Sequence, residues 1–330
     1  MPPLKPFRKP HAIRPGDCVA VVAPAGPFDR AALEVGLTVL RERYRVHYDE
    51  RIHSRDRYLA GDDNRRLAEL TNALADPDIK AVFCARGGYG TMRLLTRLAS
   101  WAAARTLPAK PLVGFSDITA LHQWLQSNGL VSFHGPVLTQ LGRVPSPTRL
   151  FSLLESPSPA EPLAGQETYV SGTAEGPLLG GNLSVFTRLL GTPFMPPLQG
   201  AILVLEDVSE SPYRLDRMWT HLELAGVFRQ VRGIVLGEFI GCDARDQTFT
   251  AADVLRDLAK ATGLPCAAGF PIGHGNVNEP VPLGVRVKLN ADAQRVSFLE
   301  AAVSPPAEEG KPDERKGQRK TQSVSEPVQE

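Results

Sequence analysis

Short apolar runs rich in β-branched residues alternate with amphipathic stretches through the first half of the chain. Such runs, bounded by turn residues, predict strands, and stretches with leucines at helical spacing, as in DDNRRLAELTNALAD, predict helices. The alternation is typical of βαβ units, so residues 1–144 are predicted to form a doubly wound α/β domain. The predicted strands are CVAVVAP, YRVHYDE, IKAVFCAR and PLVGF, and the predicted helices start near Asp29, Asp62 and Ser116.

The second half mixes strands and helices without this regular alternation. The apolar runs AILVLEDV and GIVLGEF and the alternating segments VRVKLN and RVSFLEA predict a mixed α/β domain over residues 173–303. Proline, serine and glutamate are frequent in residues 145–172, which predicts an interdomain linker. Residues 304–330 have almost nothing to bury and predict a disordered tail that can be removed without loss of fold or activity. Helices are predicted in this half at about 183–190, 213–230 and 251–261.

The charge and the cysteine content argue against several classes of function. Lys+Arg 37 against Asp+Glu 36 give a formal net charge of +1, so nothing attracts the whole molecule to nucleic acid or to an anionic membrane. The N-terminal segment lacks the apolar stretch of a secretory signal, and no run approaches the ~20 apolar residues of a membrane span, which predicts a cytoplasmic protein. The four cysteines occur singly, without a CxxC pair, and predict structural thiols rather than a metal site.

Ser116 lies in the segment GFSDI, where a predicted buried strand ends and a predicted helix begins. Hydrolases with the G-x-S-x-G motif carry their nucleophile at this position, although Ile118 replaces the second glycine here. A serine followed by an aspartate is equally an ordinary helix N-cap. The preceding strand favours a functional role, because ligands in open α/β sheets bind outside the carboxyl ends of the strands.

A glycine turn, ARGGYG, follows another predicted strand and is expected at the same edge of the sheet as Ser116. Its spacing matches neither the Walker pattern nor G-x-G-x-x-G, so it does not predict a phosphate loop. Gly87, Gly88 and Gly90 either make a tight turn or leave backbone N–H groups free to bind an anion. A hydroxyl beside exposed amides fits acyl transfer, in which an oxyanion has to be stabilised.

A serine nucleophile needs a general base, and the chain has seven histidines. His274 is the best candidate, because it stands between two glycines in GFPIGHGNVNEP, which leaves its imidazole accessible. His134 ends a predicted strand in FHGP and could line the same cleft. The other five are predicted on the surface or within helices: His11, His47, His53, His122 and His221.

The base in turn needs a carboxylate that orients it. Glu206 and Asp207 follow the apolar run AILVL at a predicted strand end, where a carboxylate is costly unless it is paired. Either could instead form a salt bridge with Arg214 or Arg217. The order serine, acid, histidine is also that of α/β-hydrolases, although chain order does not prove geometry.

Six segments of the chain together resemble the LD-carboxypeptidase family, serine peptidases of the S66 class. The resemblance runs in order from about Asp17 to Phe298 and implies a two-domain enzyme, whose N-terminal domain is like a class I glutamine amidotransferase and whose C-terminal domain completes the site. The segments that carry it are ARGGYG, GFSDITALH, FHGP, GPLLGGNL, LEDVSESPYRLDRMW and GFPIGHG.

The resemblance also implies roles for individual residues. The family's nucleophile falls on Ser116, its acid on Glu206 and its base on His274, and its oxyanion donors resemble the backbone N–H groups of Gly88 and Asp117. No metal or other cofactor is implied. An exopeptidase must also recognise the free carboxylate of its substrate, and Arg86 is a candidate partner, unless it braces the glycine turn.

Members of this family typically cleave the bond between meso-diaminopimelate and the terminal D-alanine of muropeptides during cytoplasmic murein recycling, usually as homodimers. A related branch, similar to microcin C immunity proteins, cleaves peptidyl- or aminoacyl-nucleotides. The motifs do not separate the two branches, and the murein type is the commoner, so a muropeptide substrate is expected here.

Two other classes of protein compete with this interpretation. A binding protein that holds a small peptide or nucleotide without turnover predicts that Ser116 is a helix cap with no base near it. A cysteine amidotransferase on a related fold is disfavoured, because the elbow position carries serine rather than cysteine.

Overall fold

The computed structural model describes residues 6–145, 147–243 and 248–306, and these residues build two β-sheets. One sheet has the strand order β12-β5-β4-β3-β1-β2 and the other β6-β14-β13-β8-β9-β10-β11-β7. The strands are β1 Cys18–Val22, β2 Arg45–His47, β3 Ile79–Cys84, β4 Leu112–Gly114, β5 Ser132–His134, β6 Leu163–Ala164, β7 Glu167–Val170, β8 Thr173–Asn182, β9 Ile202–Val208, β10 Gly233–Ile240, β11 Cys266–Ala268, β12 Val281–Leu283, β13 Arg286–Asn290 and β14 Arg295–Phe298.

Helices connect most of these strands and pack on the sheets. None of the described helices is long and apolar enough to cross a lipid bilayer. The helices are α1 Arg30–Arg41, α2 Asp63–Ala75, α3 Leu95–Ala103, α4 Thr119–Ser127, α5 Leu138–Leu141, α6 Thr148–Glu155, α7 Leu183–Thr187, α8 Pro212–Leu224 and α9 Ala251–Thr262.

The first sheet is parallel from β1 to β5, as the alternating pattern predicts. Its central strands are apolar on both faces because helices cover both, and β3 is buried at every position except Lys80. β3 and β4 are parallel neighbours, so the glycine turn after β3 and Ser116 after β4 lie at the same edge. The sequence-based placement of these two segments is thereby confirmed.

A strand from the second half of the chain completes the first sheet. β12 pairs antiparallel with β5, with Val281 opposite His134 and Leu283 opposite Ser132. The sequence analysis did not predict this strand, because VPL is only three residues long and contains a proline. The strand joins the chain segment that carries His274 directly to the sheet that carries Ser116.

The second sheet is parallel over β8, β9, β10 and β11, and antiparallel strands complete both sides. The segment 145–172, predicted as a linker, contains α6, β6 and β7, and the last two form opposite edges of this sheet. Leu150, Leu153 and Leu154 are buried along one face of α6, a helical spacing that the proline-rich composition obscured. The chain between the two sheets therefore packs as ordinary secondary structure.

The helix predicted over 213–230 ends earlier, at Leu224. Gly226 adopts a φ of +75°, and the N–H of Val227 donates to the carbonyl of Leu222 at 2.9 Å. This is the pattern of a helix that closes on a left-handed glycine. The sequence LELAGVF contains that signal just after the last apolar position of the helix.

The end of the described chain is tied to its beginning. The N–H of Ala12 donates to the carbonyl of Ser304, and the N–H of Ser304 donates to the carbonyl of Pro10, both at 2.8 Å. Ala302 and Val303 are almost completely buried beside them. Of the predicted disordered tail, residues 304–330, the structure describes only residues 304–306, and the rest of the prediction lies outside the described residues.

We expect truncation after Pro306 to leave the melting temperature unchanged, because the removed sequence is almost entirely polar and charged. Truncation after Leu299 should lower it by several degrees, since burial of a side chain such as Val303 contributes about 2 kcal/mol. Thermal unfolding of both truncated proteins against the full chain tests this. Equal melting temperatures for all three would contradict the anchoring role of residues 300–304.

Candidate active site

Ser116 occupies a sharp turn between β4 and α4. Its φ is +63°, a left-handed conformation that costs energy for a residue with a side chain, and Phe115 before it is fully extended. The N-cap position of α4 is Ile118, so Ser116 does not cap that helix. The capping alternative is therefore wrong, and the strained serine is what a nucleophile elbow requires.

The glycine turn packs directly against this elbow. A Cβ on Gly87 would lie 2.7 Å from Ser116 Cβ and 2.9 Å from Ser116 Oγ, so only glycine allows this approach. Gly88 adopts a φ of +105°. Within the described residues, no hydrogen bond occupies the backbone N–H of Gly88 or of Asp117. Two unengaged amides therefore lie beside the serine, one from each segment.

The side chain of Asp117 fastens the glycine turn to the elbow. Its carboxylate accepts the N–H of Thr91 at 2.9 Å and lies 2.8 Å from the Thr91 hydroxyl, which is also 2.6 Å from the Asp117 carbonyl. Burial raises the pKa of Asp117. The sequence analysis assigned Asp117 only a backbone role and did not predict this contact, because Thr91 has no signal of its own.

A buried arginine supports the turn from behind. Arg66 is fully buried on α2, and its guanidinium donates to the carbonyl of Gly90 at 2.9 Å and to the carbonyl of Pro24, while it also pairs with Asp63. Gly90 has a φ of +134°, and a Cβ there would lie 2.6 Å from Arg66 Nη1. The glycine at this position thus makes room for the arginine that holds it.

Glu206 and His274 form the second half of the site. His274 Nδ1 lies 2.7 Å from Glu206 Oε2, and Glu206 is fully buried within β9, not at its end as predicted. The ring of Phe115 packs on the His274 imidazole with centroids 4.7 Å apart. With Nδ1 donating to the carboxylate, Nε2 is the ring nitrogen left to exchange a proton.

The glycines that flank His274 are required by two carboxylates. Gly273 has a φ of +115°, and a Cβ there would lie 2.4 Å from Glu206 Oε2. A Cβ on Gly275 would lie 1.8 Å from Glu238 Oε2. The sequence analysis attributed these glycines to the accessibility of the imidazole. Their steric role is more specific, because each lets the loop approach a carboxylate, that of the fully buried Glu206 or of the half-buried Glu238.

Glu238 on β10 is a further acidic residue that the sequence analysis missed. Its backbone N–H donates to the carbonyl of Ile272 at 3.0 Å, and its carboxylate atom Oε2 is buried without a hydrogen-bond partner within the described residues. Burial and the nearby Glu206 raise the pKa of Glu238. The signal was available, since GIVLGEF places an acid at the end of an apolar strand as AILVLED does.

Asp207, the other candidate for the orienting acid, faces a different set of partners. It accepts hydrogen bonds from Asn182 Nδ2 at 3.0 Å and from the N–H groups of Ser184 at 2.9 Å and Val208 at 2.8 Å. Burial raises the pKa of Asp207 to about 6. The N–H of Asn182 donates to Thr119 Oγ1 at 3.0 Å, which links this network to the first turn of α4.

The salt bridges considered for these acids do not form. Arg214 pairs with Glu210 at 3.4 Å, and the guanidinium of Arg217 lies over the ring of Tyr213. Glu206 is thus free of arginine partners within the described residues and is left to the imidazole.

His134, the alternative base, is buried below the site. Its ring packs edge-on against Phe115 with centroids 5.8 Å apart, and burial lowers its pKa well below the usual value. His122 beside it contacts Ser132 Oγ at 3.0 Å and the carbonyl of Gly114 at 2.8 Å, and burial lowers its pKa to about 4. Neither histidine lines the cavity that Ser116 lines.

Ser116 and His274 line one open cavity of about 540 Å³. Gly87 and Gly88 form part of its wall, and Arg86 and Arg143 lie in its lining with exposed side chains. Arg86 donates to the carbonyl of Pro27, so it braces the neighbouring segment and not the glycine turn itself. The described residues contain no group of three or more His, Cys, Asp and Glu side chains arranged to hold a metal ion.

Two protein-family models match this chain, one in its N-terminal half and one in its C-terminal half. The model of the LD-carboxypeptidase N-terminal domain matches residues 19–135, and that of the LD-carboxypeptidase C-terminal domain matches residues 175–289. A curated relative, the probable murein peptide carboxypeptidase of Bacillus subtilis, is 38% identical over 308 residues, which cover 90% of this chain and 95% of the relative.

Solved structures share the fold over nearly the whole described chain. The crystal structure of muramoyltetrapeptide carboxypeptidase from Oxalobacter formigenes has a TM-score of 0.76 and 29% identity and covers 88% of this chain and 100% of that one. The microcin C7 self-immunity protein MccF in complex with aspartyl sulfamoyl adenosine has a TM-score of 0.79 and 22% identity, over 90% of this chain and 100% of that one. At that identity the likeness to MccF concerns the fold alone.

These findings show that the chain is a hydrolase of the serine carboxypeptidase type with a mixed α/β fold of two domains. More particularly, the chain belongs to the LD-carboxypeptidase family.

We expect Gly273→Ala to lower carboxypeptidase kcat/KM by about 100-fold, because a displacement of about 1 Å at a catalytic group has an effect of that size. The added methyl would overlap Glu206 Oε2 and push His274 away from it. Gly263→Ala is the matched control, since its φ is also positive, at +67°, but a Cβ there meets nothing within 4 Å. Wild-type kcat/KM in Gly273→Ala would contradict the steric argument.

Proposed function

We propose that this chain is a serine LD-carboxypeptidase that releases the terminal D-alanine of muropeptide tetrapeptides, with Ser116 as nucleophile, His274 as base and Glu206 as orienting acid. The observation that carries the proposal is that Ser116 lines the same cavity as a histidine whose other ring nitrogen lies 2.7 Å from a fully buried carboxylate. A base held in one tautomer beside a serine hydroxyl at a cavity wall is the arrangement that activates serine.

The proposed reaction proceeds through an acyl-enzyme. His274 Nε2 takes the proton of Ser116 Oγ as the oxygen attacks the scissile carbonyl, and Glu206 stabilises the resulting imidazolium. The N–H groups of Gly88 and Asp117 bind the oxyanion. His274 then protonates the leaving amine, the terminal amino acid departs, and water attacks the ester by the same route in reverse.

The strained conformation of Ser116 supports this assignment. A residue with a side chain adopts a left-handed φ only where its surroundings enforce it, and such strain clusters at functional sites. Here Gly87 leaves space against Ser116, and Asp117 ties the following residue to Thr91. The elbow thus holds the hydroxyl at the cavity wall before any substrate binds.

The choice of a muropeptide rests on the relatives. The printed names of the similar proteins from Bacillus subtilis and Oxalobacter formigenes concern murein peptides and the muramoyl tetrapeptide. Arg86 is our candidate for the terminal carboxylate, because its exposed guanidinium lines the cavity. A cytoplasmic location, a homodimeric state and a likeness of the first domain to class I glutamine amidotransferases remain predictions from the family resemblance.

A second candidate is the cleavage of aminoacyl- or peptidyl-nucleotides. It is favoured by the likeness of the fold to MccF, whose structure was solved with aspartyl sulfamoyl adenosine. The same serine, histidine and glutamate would serve either reaction. Incubation of the protein with a muramyl tetrapeptide and, separately, with an aminoacyl sulfamoyl adenylate distinguishes the two by release of D-alanine or of the nucleotide.

Substitution of the proposed triad should give losses that are far from additive. Ser116→Ala and His274→Ala should each lower kcat by about 10⁴-fold or more, and the double variant should be little worse than either. Glu206→Gln should lower kcat less, about 10³-fold, since it leaves a base that is present but poorly oriented. Release of D-alanine from a muramyl tetrapeptide measures all four variants.

The control for these variants is folding. Ser116→Ala should retain the wild-type melting temperature, because only one half-buried hydroxyl is lost; this separates catalysis from stability. Wild-type turnover by Ser116→Ala on every LD-peptide tested would show that the triad assignment is wrong.

A further inference from the structure

A β-bulge in β10 lies directly beside Glu206. The register of β10 against β9 shifts between Leu236 and Phe239, so that two residues of β10, Gly237 and Glu238, lie opposite the single residue Glu206. An extra residue of this kind redirects the side chains of its strand, and bulges are frequent next to active sites. The bulge therefore brings a second acid close to the acid of the proposed triad.

The backbone of the bulge anchors the loop that carries His274. The N–H of Glu238 donates to the carbonyl of Ile272 at 3.0 Å. A Cβ on Gly237 would lie 2.4 Å from that carbonyl oxygen and 3.1 Å from Glu206 Cβ, so glycine is required where the loop, the bulge and the acid meet. This anchoring uses main-chain atoms, so it does not depend on the side chain of Glu238.

The carboxylate of Glu238 lies against the residue that follows His274. A Cβ on Gly275 would lie 1.8 Å from Glu238 Oε2 and 2.4 Å from Oε1, so both carboxylate oxygens are close to the Gly275 backbone. Within the described residues Oε2 is buried without a hydrogen-bond partner, and no cationic side chain lies within ion-pair distance of this carboxylate. A half-buried carboxylate without a cationic partner is costly, and such groups concentrate at functional sites.

Ionisable side chains of both signs lie around the imidazole of His274. Burial lowers the pKa of one of them, His134, well below its usual value and keeps it neutral. Of the others, two acids favour a positive charge on the imidazole and two arginines oppose it. The full set is Glu206 on β9, Glu238 on β10, His134 on β5, and Arg86 and Arg143 in the lining of the cavity.

We propose that Glu238 is a second carboxylate that acts through His274, by stabilising the imidazolium that forms when the ring takes the proton of Ser116. Glu206 orients the ring through Nδ1, whereas Glu238 contributes its negative charge beside the loop without a hydrogen bond to the ring. Because it acts through the histidine, Glu238 is a positioning residue. This inference rests on the proposed function, since it adds a member to the proposed triad.

Removal of the Glu238 charge should have two effects of opposite sign. Burial and the nearby Glu206 raise the pKa of Glu238, but its side chain is only half-buried, so we expect it to be ionised at pH 7. Loss of that charge should disfavour the imidazolium about threefold, the size expected for a partly screened charge that does not contact the ring. His274 would then stay neutral to a lower pH, while the step that creates the imidazolium becomes slower.

The test uses the full chain and two readouts from about pH 5 to about pH 9: the rate at which a fluorophosphonate labels Ser116, and kcat/KM for release of D-alanine from a muramyl tetrapeptide. Glu238→Gln removes the charge and keeps the shape of the side chain, whereas Glu238→Asp keeps the charge. Glu279→Gln is the matched control, because it removes the same charge from the same loop at a position where Arg149 lies within 3.5 Å. Melting temperatures of all variants establish that they are folded.

We expect Glu238→Gln to lower both rates about threefold above about pH 8, and to move the half-maximal rate on the acidic side to a pH about 0.5 lower, with KM unchanged. Glu238→Asp should keep the wild-type position of the acidic limb, and Glu279→Gln should change neither quantity.

Several outcomes would overturn the role of Glu238: an unshifted acidic limb in Glu238→Gln, or a shift of equal size in Glu238→Asp or Glu279→Gln. A slower rate without the shift would show a merely structural role. The expected shift in the labelling profile, without any release of D-alanine by the wild-type protein, would support the role of Glu238 and overturn the proposed function instead. A wild-type protein that neither reacts with the fluorophosphonate at Ser116 nor releases D-alanine would overturn both.

Discussion

The buried contact between Glu206 and His274 is the interaction on which the rest of the site depends. A carboxylate removed from water costs several kcal/mol unless a partner compensates, and only Glu206 Oε2 has a partner within the described residues, since Oε1 is buried without one. The loop around His274 is built to supply that partner. Gly273 allows the loop to approach the acid, and Asn278 Oδ1 accepts the N–H of Gly273 at 3.0 Å, which holds the approach in place.

The two halves of the site are also fixed relative to each other. Seven residues after His274 the chain enters β12 at Val281, which pairs with β5, the neighbour of the strand that leads to Ser116. A second link, from the N–H of Asn182 to Thr119 Oγ1, joins the strand beside β9 to the helix that follows Ser116. Ser116 and His274 therefore line one cavity although they are far apart in sequence.

Features that depend on neighbouring residues could be predicted from the sequence, whereas features that depend on contacts between residues far apart in the chain could not. The parallel strands and the elbow at Ser116 could be predicted, because local apolar pattern determines them. The role of Gly273 could not, because the atom that excludes a side chain there belongs to Glu206, 67 positions earlier in the chain. The same holds for β12, which is too short to stand out and forms only against β5, and for Thr91, whose partner Asp117 is 26 residues away.

The most direct measurement of the central claim, that Ser116 and His274 form one reactive unit, is covalent labelling with a serine-directed fluorophosphonate, followed by intact-protein and peptide mass spectrometry. The account predicts one adduct per chain, located on Ser116, that forms readily in the wild-type protein and at least 100-fold more slowly in His274→Ala, because the hydroxyl loses its base. An adduct on another residue, or labelling of Ser116 at the same rate without His274, would contradict it.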